Sequence, residues 1–154
     1  MIDTMTHTII FVDADNQSPV LVAPLTRFFK AMGRNCTQAI VAGNGMGDRV
    51  RGWEKALHEA MPGVEVRCHL APVRKQSADV RLMFELATLH HGQADPSTLI
   101  VVLSRDDLLV AATEYLASQG HNALIAVGSS PGGPLLASDL PIIALPLPQQ
   151  AVPA

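Results

Sequence analysis

Along the whole chain, short apolar runs alternate with longer stretches whose apolar residues recur at three- and four-residue steps. Residues 8–12, TIIFV, form the first run. They are largely β-branched, lead into turn-forming residues, and predict a strand. Residues 19–32 predict a helix with Ser18 as its N-cap, Pro19 at its first position and Gly33 as its stop. Pro24 inside that stretch predicts a kink or a restart. A second strand follows at 37–41, then a glycine-rich loop at 42–48, AGNGMGD. In residues 49–61, Val50, Trp53, Leu57 and Met61 share one face of an amphipathic helix. Pro62-Gly63 closes it, and residues 64–70 alternate as a third strand.

Beyond the basic loop 72–77, PVRKQS, residues 78–90 carry a broad apolar helical face. Residues 99–103, LIVVL, are continuously apolar, as expected of a strand covered on both sheet faces. A helix over 106–118 closes at Gly120, a fifth strand occupies 123–127, and a short last strand falls at 142–145. The linker 129–134, SSPGGP, joins these two strands. Such alternation predicts an α/β fold, a three-layer sandwich with a mainly parallel central sheet of about five strands. One domain is expected over residues 1–147, with a flexible proline-containing tail at 148–154. The apolar segment 140–147 could pack on that domain or on a second subunit, so a homodimer is one expected assembly.

Composition sharpens this in three ways. At 154 residues and 48% apolar, the chain can bury a full core and is neither disordered nor fibrous. No apolar run approaches the roughly 18 residues a membrane span needs, and the acidic start MIDTMTHT lacks the basic region of a signal peptide. Cys36 and Cys68 sit in strand-like runs with neither disulfide-framework nor metal-ligand spacing, so both are expected to be reduced and buried. These features predict a cytoplasmic protein. The net charge of −3 exerts no general pull on nucleic acid, so a phosphate-bearing partner would need a local basic patch.

Ligands of parallel α/β sheets bind at the carboxyl ends of the strands, and acids collect at that edge here. The first strand runs into Asp13, Asp15 and Asn16. The loop after the third carries Arg74 and Lys75, with Asp79 opening the next helix and Glu85 further along it. The fourth runs into Ser104, Arg105, Asp106 and Asp107. Gathered carboxylates repel one another unless a cation lies among them, and an oxygen-ligand site for Mg²⁺ or Mn²⁺ accounts for them together. Each acid also has a structural reading alone. Asp13 and Asp15 could cap a turn, Asp79, Asp106 and Asp107 could complement helix dipoles, and Glu85 could be a solvated helix-face residue. Arg105 could instead pair with Asp13 or Asp79 and neutralise the cluster without metal.

Read in order, these motifs resemble the NYN domains, a branch of the PIN-like metal-dependent ribonucleases. VDADN matches the family's strand ending in D-x-x-N through Asp13 and Asn16. KQSADV matches its K-x-x-x-D-V through Lys75 and Asp79, with Glu85 at the place of an acid six residues on. Ser104-Arg105-Asp106-Asp107-Leu108-Leu109 stands for S-G-D-x-D-F, and Asp139 in SDLPIIALP for a final acid before a short strand. The resemblance covers nearly the whole chain, with two departures: Arg105 replaces the glycine and Leu108 the second aspartate. It implies a catalytic metal set of Asp13, Asp79 and Asp106, with Asn16 orienting a ligand or water and Asp15, Ser104, Asp107 and Glu85 in support. Lys75, Arg74 and Arg105 would be phosphate-binding, and the substrate RNA or another single-stranded nucleic acid. A degenerate NYN domain that binds nucleic acid or a protein without cleavage is the alternative, and Leu108 is the feature favouring it.

Other motifs point elsewhere more weakly. DAD also resembles the D-x-D of haloacid-dehalogenase-type phosphatases, with Asp13 as nucleophile and Asp15 as general acid. Gln17-Ser18 then replaces the usual Thr or Val, and the later acids have no part. GNGMG is not the dinucleotide spacing G-x-G-x-x-G. Arg49 and Arg51 beside it could touch a nucleic-acid backbone. His90-His91 reads as a last-turn pair, and Trp53 as core.

Overall fold

A computed structural model describes residues 7–44, 48–72, 77–92, 97–130, 133 and 136–148. Its strands are β1 (His7–Asp13), β2 (Asn35–Asn44), β3 (Glu65–Ala71), β4 (Leu99–Leu103), β5 (Asn122–Ser129) and β6 (Ile142–Pro146). Between them lie α1 (Val22–Ala31), α2 (Arg49–Ala60), α3 (Ser77–His91) and α4 (Asp107–Ser118). The six strands form one sheet in the order β3-β2-β1-β4-β5-β6, and every neighbouring pair is parallel. The mainly parallel α/β sandwich is as expected, with six strands in place of about five because the short last strand pairs with β5 along its length.

Strand pleating sorts the core into two halves, since successive side chains face opposite sides. Ile10 and Val12 of β1, with Val101 and Leu103 of β4, pack under Leu25 and Phe29 of α1 and Trp53 and Leu57 of α2. Ile9 and Phe11, with Ile100 and Val102, pack under Leu82 and Leu86 of α3 and Leu109 and Leu116 of α4. The β4 strand is buried throughout, as its unbroken apolar sequence predicts. The chain winds outward from β1 to β3 with α1 and α2 on one face. It then crosses back through α3 to β4 and continues outward with α4 on the other. The order therefore reverses between β1 and β4, the switch point at which such sheets bind ligands.

Local sequence explains the departures from the expected boundaries. Ser18 caps as predicted, its Oγ accepting the Val20 N–H at 3.4 Å. What it starts is a 3₁₀ turn, Pro19–Leu21, and the α-helix begins only at Val22. That restart places Pro24 in the first turn, where an N–H has no intrahelical acceptor and its loss costs nothing. Gly33 ends the segment at φ 67°. β2 runs on through residues 42–44, which pair with β3, so the glycine-rich segment is strand up to Asn44. Cys36 and Cys68 are free and half-buried. Burial, reinforced at Cys68 by Glu54, pushes their thiols to about 12 and about 11, so both are protonated near neutrality. Among the described residues, no helix is long and apolar enough to cross a membrane.

Trp53 is fully buried, and its Nε1–H donates to the Gln17 carbonyl at 2.7 Å. That bond ties α2 to the loop leaving β1. Trp53→Phe is expected to lower unfolding stability by about 1–2 kcal/mol; denaturant unfolding unchanged by the substitution would show that the bond contributes nothing.

Candidate functional site

Alternation along β1 puts Asp13 on the Phe11 side of the sheet, facing α3 and α4, and alternation along β4 puts Ser104 on the same side. Both residues are buried, and they meet across the switch point. The Ser104 hydroxyl donates to Asp13 Oδ2 at 3.1 Å, and Asn16 Nδ2 donates to the same oxygen at 2.9 Å. Ser104 Oγ in turn accepts the Asp106 N–H at 3.0 Å. Asp13 Oδ1, however, is buried with no hydrogen-bond partner among the described residues, and so is Asp79 Oδ1. A cavity of about 80 Å³ is lined by Asp13, Asp15, Asn16, Asn44, Ser77 and Asp79. A cavity of about 600 Å³ opens at the other edge of the sheet, and no acid is among the described residues that line it.

The acids differ in what already engages them. Asp106 is the N-cap of α4 rather than a residue of its first turn, its Oδ1 accepting the Leu108 and Leu109 N–H groups at 2.9 and 3.3 Å. Asp15 is exposed, and both of its oxygens lie 3.0 Å from the Asn44 N–H. Asp107 is exposed in the first turn of α4. Glu85 is placed in a different cluster, where it meets Arg67 and Arg81 at 3.1 Å each and His69 at 3.3 Å. Two arginines, with His69 held toward its neutral form by burial and by Arg81, make it a structural acid of the β3–α3 face. Arg105 turns toward β5, its NH2 donating to the Gly128 carbonyl at 2.9 Å. Asp139 is exposed, and its backbone N–H donates to Glu114 at 3.4 Å. Arg74 and Lys75 lie outside the described residues.

Burial pushes the Asp13 carboxyl above its ordinary range. The Asn16 and Ser104 hydrogen bonds pull it back, and Asp15 and Asp106 add to the rise. Asp79 is pushed up to about 6, first by burial and then by Asp13, Asp106 and Asp15. So the acids of three segments do share one field. Yet among the described residues no three His, Cys, Asp or Glu side chains close around a point as a ready-made ion cage. The reason is visible in the bonding: Asp106 Oδ1 is committed to its helix, Asp15 to Asn44, and Leu108 supplies no donor. What remains is a pair of buried anionic oxygens. Mg²⁺ is commonly held by one or two carboxylates with water completing its shell, so the donor set fits such an ion.

Two features escape a reading of sequence alone. Gly43 approaches so closely that a Cβ there would lie 2.7 Å from Val50 Cγ2 and 3.1 Å from Asp15 Oδ1; its place between Ala42 and Asn44 is the one signal. Gln17 is buried, its Oε1 accepting the Gly128 N–H at 3.0 Å while its carbonyl holds Trp53. Adjacency to DADN is all that marks it.

No family model matches this chain, and no curated protein matches it. Among solved structures it is similar to a protein of unknown function from Vibrio parahaemolyticus. The TM-score is 0.55 and the identity 15%, and the match covers 94% of each chain. A likeness at that identity speaks for the fold: a parallel α/β sandwich of the same extent.

Two outcomes follow for variants. For Asp79 the fold favours the protonated carboxyl, so its stabilising contribution is complete below the ordinary value of 3.8 and lost as pH rises through about 6. Asp79→Asn in EDTA should therefore be more stable than wild type at pH 7.5, by roughly 1–3 kcal/mol. The difference should close below about pH 4, and one that is constant with pH would refute the assignment. Gly43→Ala should destabilise by about 1–3 kcal/mol through overlap with Val50, and thermal melting equal to wild type would contradict that packing.

Proposed function

We propose that this chain is a PIN-like nuclease domain of the NYN type, using a divalent cation to hydrolyse phosphodiester bonds, with single-stranded RNA as its substrate. The observation that carries the proposal is the pair of buried, unpartnered oxygens on Asp13 and Asp79 at the switch point. Two such oxygens sharing one field disfavour each other's ionisation and are relieved by a cation. Asp13 and Asp79 would hold Mg²⁺ or Mn²⁺, with Asp106 adding negative field beside them. Such an ion, when bound, lowers the pKa of a water and neutralises phosphate oxygens.

The chain's own residues do the rest. Asn16 and Ser104 fix Asp13 Oδ2, which leaves Oδ1 as the oxygen a cation would take. Ser104 also receives the Asp106 N–H, which locks the start of α4 to the end of β1. Asp15, anchored on Asn44 at the rim, would add negative field beside the ion. Leu108 and the missing third ligand favour a second reading, a domain of the same family that binds nucleic acid without cutting it.

The two readings separate in one experiment. Mn²⁺ should raise the melting temperature of wild type and leave Asp13→Asn unmoved. Cleavage of a single-stranded RNA should require Mn²⁺ and fall by roughly 10²-fold or more in Asp79→Asn. A Mn²⁺-dependent melting shift without cleavage would leave the binding domain. No shift at all would remove the metal site.

A further inference from the structure

A second cavity opens at the same sheet edge on the opposite face, under α1 and α2. Its volume is about 360 Å³, and it shares Asn16 with the carboxylate cavity. Arg49, Arg105, Gln17, Ser18 and Ser130 line it, together with the apolar Leu21. No acid is among its lining residues, so a chain of net charge −3 carries here a concave wall with two guanidinium groups. Arg105 is set by its bond to the Gly128 carbonyl, and Gln17 by its bond from the Gly128 N–H. With the Gln17 oxygen so engaged, the end of that buried amide that can meet a ligand is its NH₂ donor. Two guanidiniums, an amide NH₂ and two hydroxyls make a donor-rich wall suited to phosphate oxygens. The volume falls within the usual range for small-ligand sites. It exceeds what a bare phosphate fills, and the half-buried Leu147 in its lining offers an apolar wall to a sugar or base.

We infer that this cavity is a binding site for a phosphorylated nucleotide unit, anchored through its phosphate by Arg49 and Arg105. The inference rests on the nucleic-acid reading for its purpose: a strand seated there crosses the sheet edge at Asn16 and lays its next phosphate over Asp13 and Asp79. Binding itself needs no metal, and this separates its test from the test of cleavage.

The full chain in EDTA, titrated with 5′-AMP, 5′-UMP, adenosine and inorganic phosphate, provides that test. Trp53 is the single tryptophan, and its indole N–H rests on the Gln17 carbonyl, so its fluorescence or its indole NMR resonance reads the cavity wall. Both nucleotides should shift the signal, adenosine should not, and inorganic phosphate should compete more weakly. Arg49→Ala, at an exposed position expected to leave folding intact, should weaken AMP at least tenfold. Arg105→Gln should do the same, and Arg105→Lys should retain part of the affinity. Adenosine binding as tightly as AMP, or either arginine variant binding AMP like wild type, would overturn the inference. Phosphate binding as tightly as AMP would overturn its nucleotide part. If AMP fails to bind while Mn²⁺ still shifts melting, this inference falls and the proposed metal site stands; the reverse pair of results leaves the nucleotide site alone standing.

Discussion

Burying the Asp13 carboxylate with one oxygen unpartnered is the constraint on which the rest of this edge depends. An ionised group withdrawn from water is costly unless it is paired or hydrogen-bonded. Here only Oδ2 receives donors, from Asn16 and Ser104. The neighbouring acids raise the cost, and Asp79 lines the same cavity with an oxygen of its own that has no partner among the described residues. Few structural roles call for that arrangement, because either acid as an amide would serve packing equally well. A cation between them would turn the repulsion into attraction, and that inversion is the physical ground of the proposed binding site.

The sheet makes the arrangement possible. Because β1 and β4 are neighbours whose connections leave to opposite sides, no helix closes over their carboxyl ends, and a crevice remains. Pleat alternation then decides which side chains enter it and from which face. Asp13 and Ser104 fall toward α3 and α4, whose amino ends bring Asp79 and Asp106. Gly43 and Gly128 fall toward the other face, where a Cβ would meet Val50 in one case and Leu21 in the other. The acidic and the arginine-lined cavities are thus two sides of one sheet edge, joined at Asn16.

Much of this was legible in the sequence, for physical reasons that can be named. LIVVL reads as a strand covered on both faces, and the 3.6-residue spacing around Trp53 and Leu82 reads as helix, because burial is periodic in both element types. That Asp13, Asp79 and Asp106 share an edge followed from the βαβ alternation alone. Finer placement did not follow. Asp106 looks identical in sequence whether it caps a helix or points at an ion, and it caps α4 with one oxygen. Glu85 stands at the expected interval from Asp79, but two of the side chains that claim it, Arg67 and His69, come from β3 and are remote in sequence. Arg105 bonds a backbone carbonyl on β5, a contact set by strand order rather than by any local motif.

Carboxyl NMR reads the proposed pairing of Asp13 and Asp79 around a cation directly. Following the Asp79 side-chain carbon across pH in EDTA should show titration near 6. Repeating the titration in saturating Mg²⁺ should move that midpoint well below the ordinary carboxylate value, as the ionised form gains a ligand. A midpoint identical in both conditions would contradict the account, leaving a strained but metal-free edge.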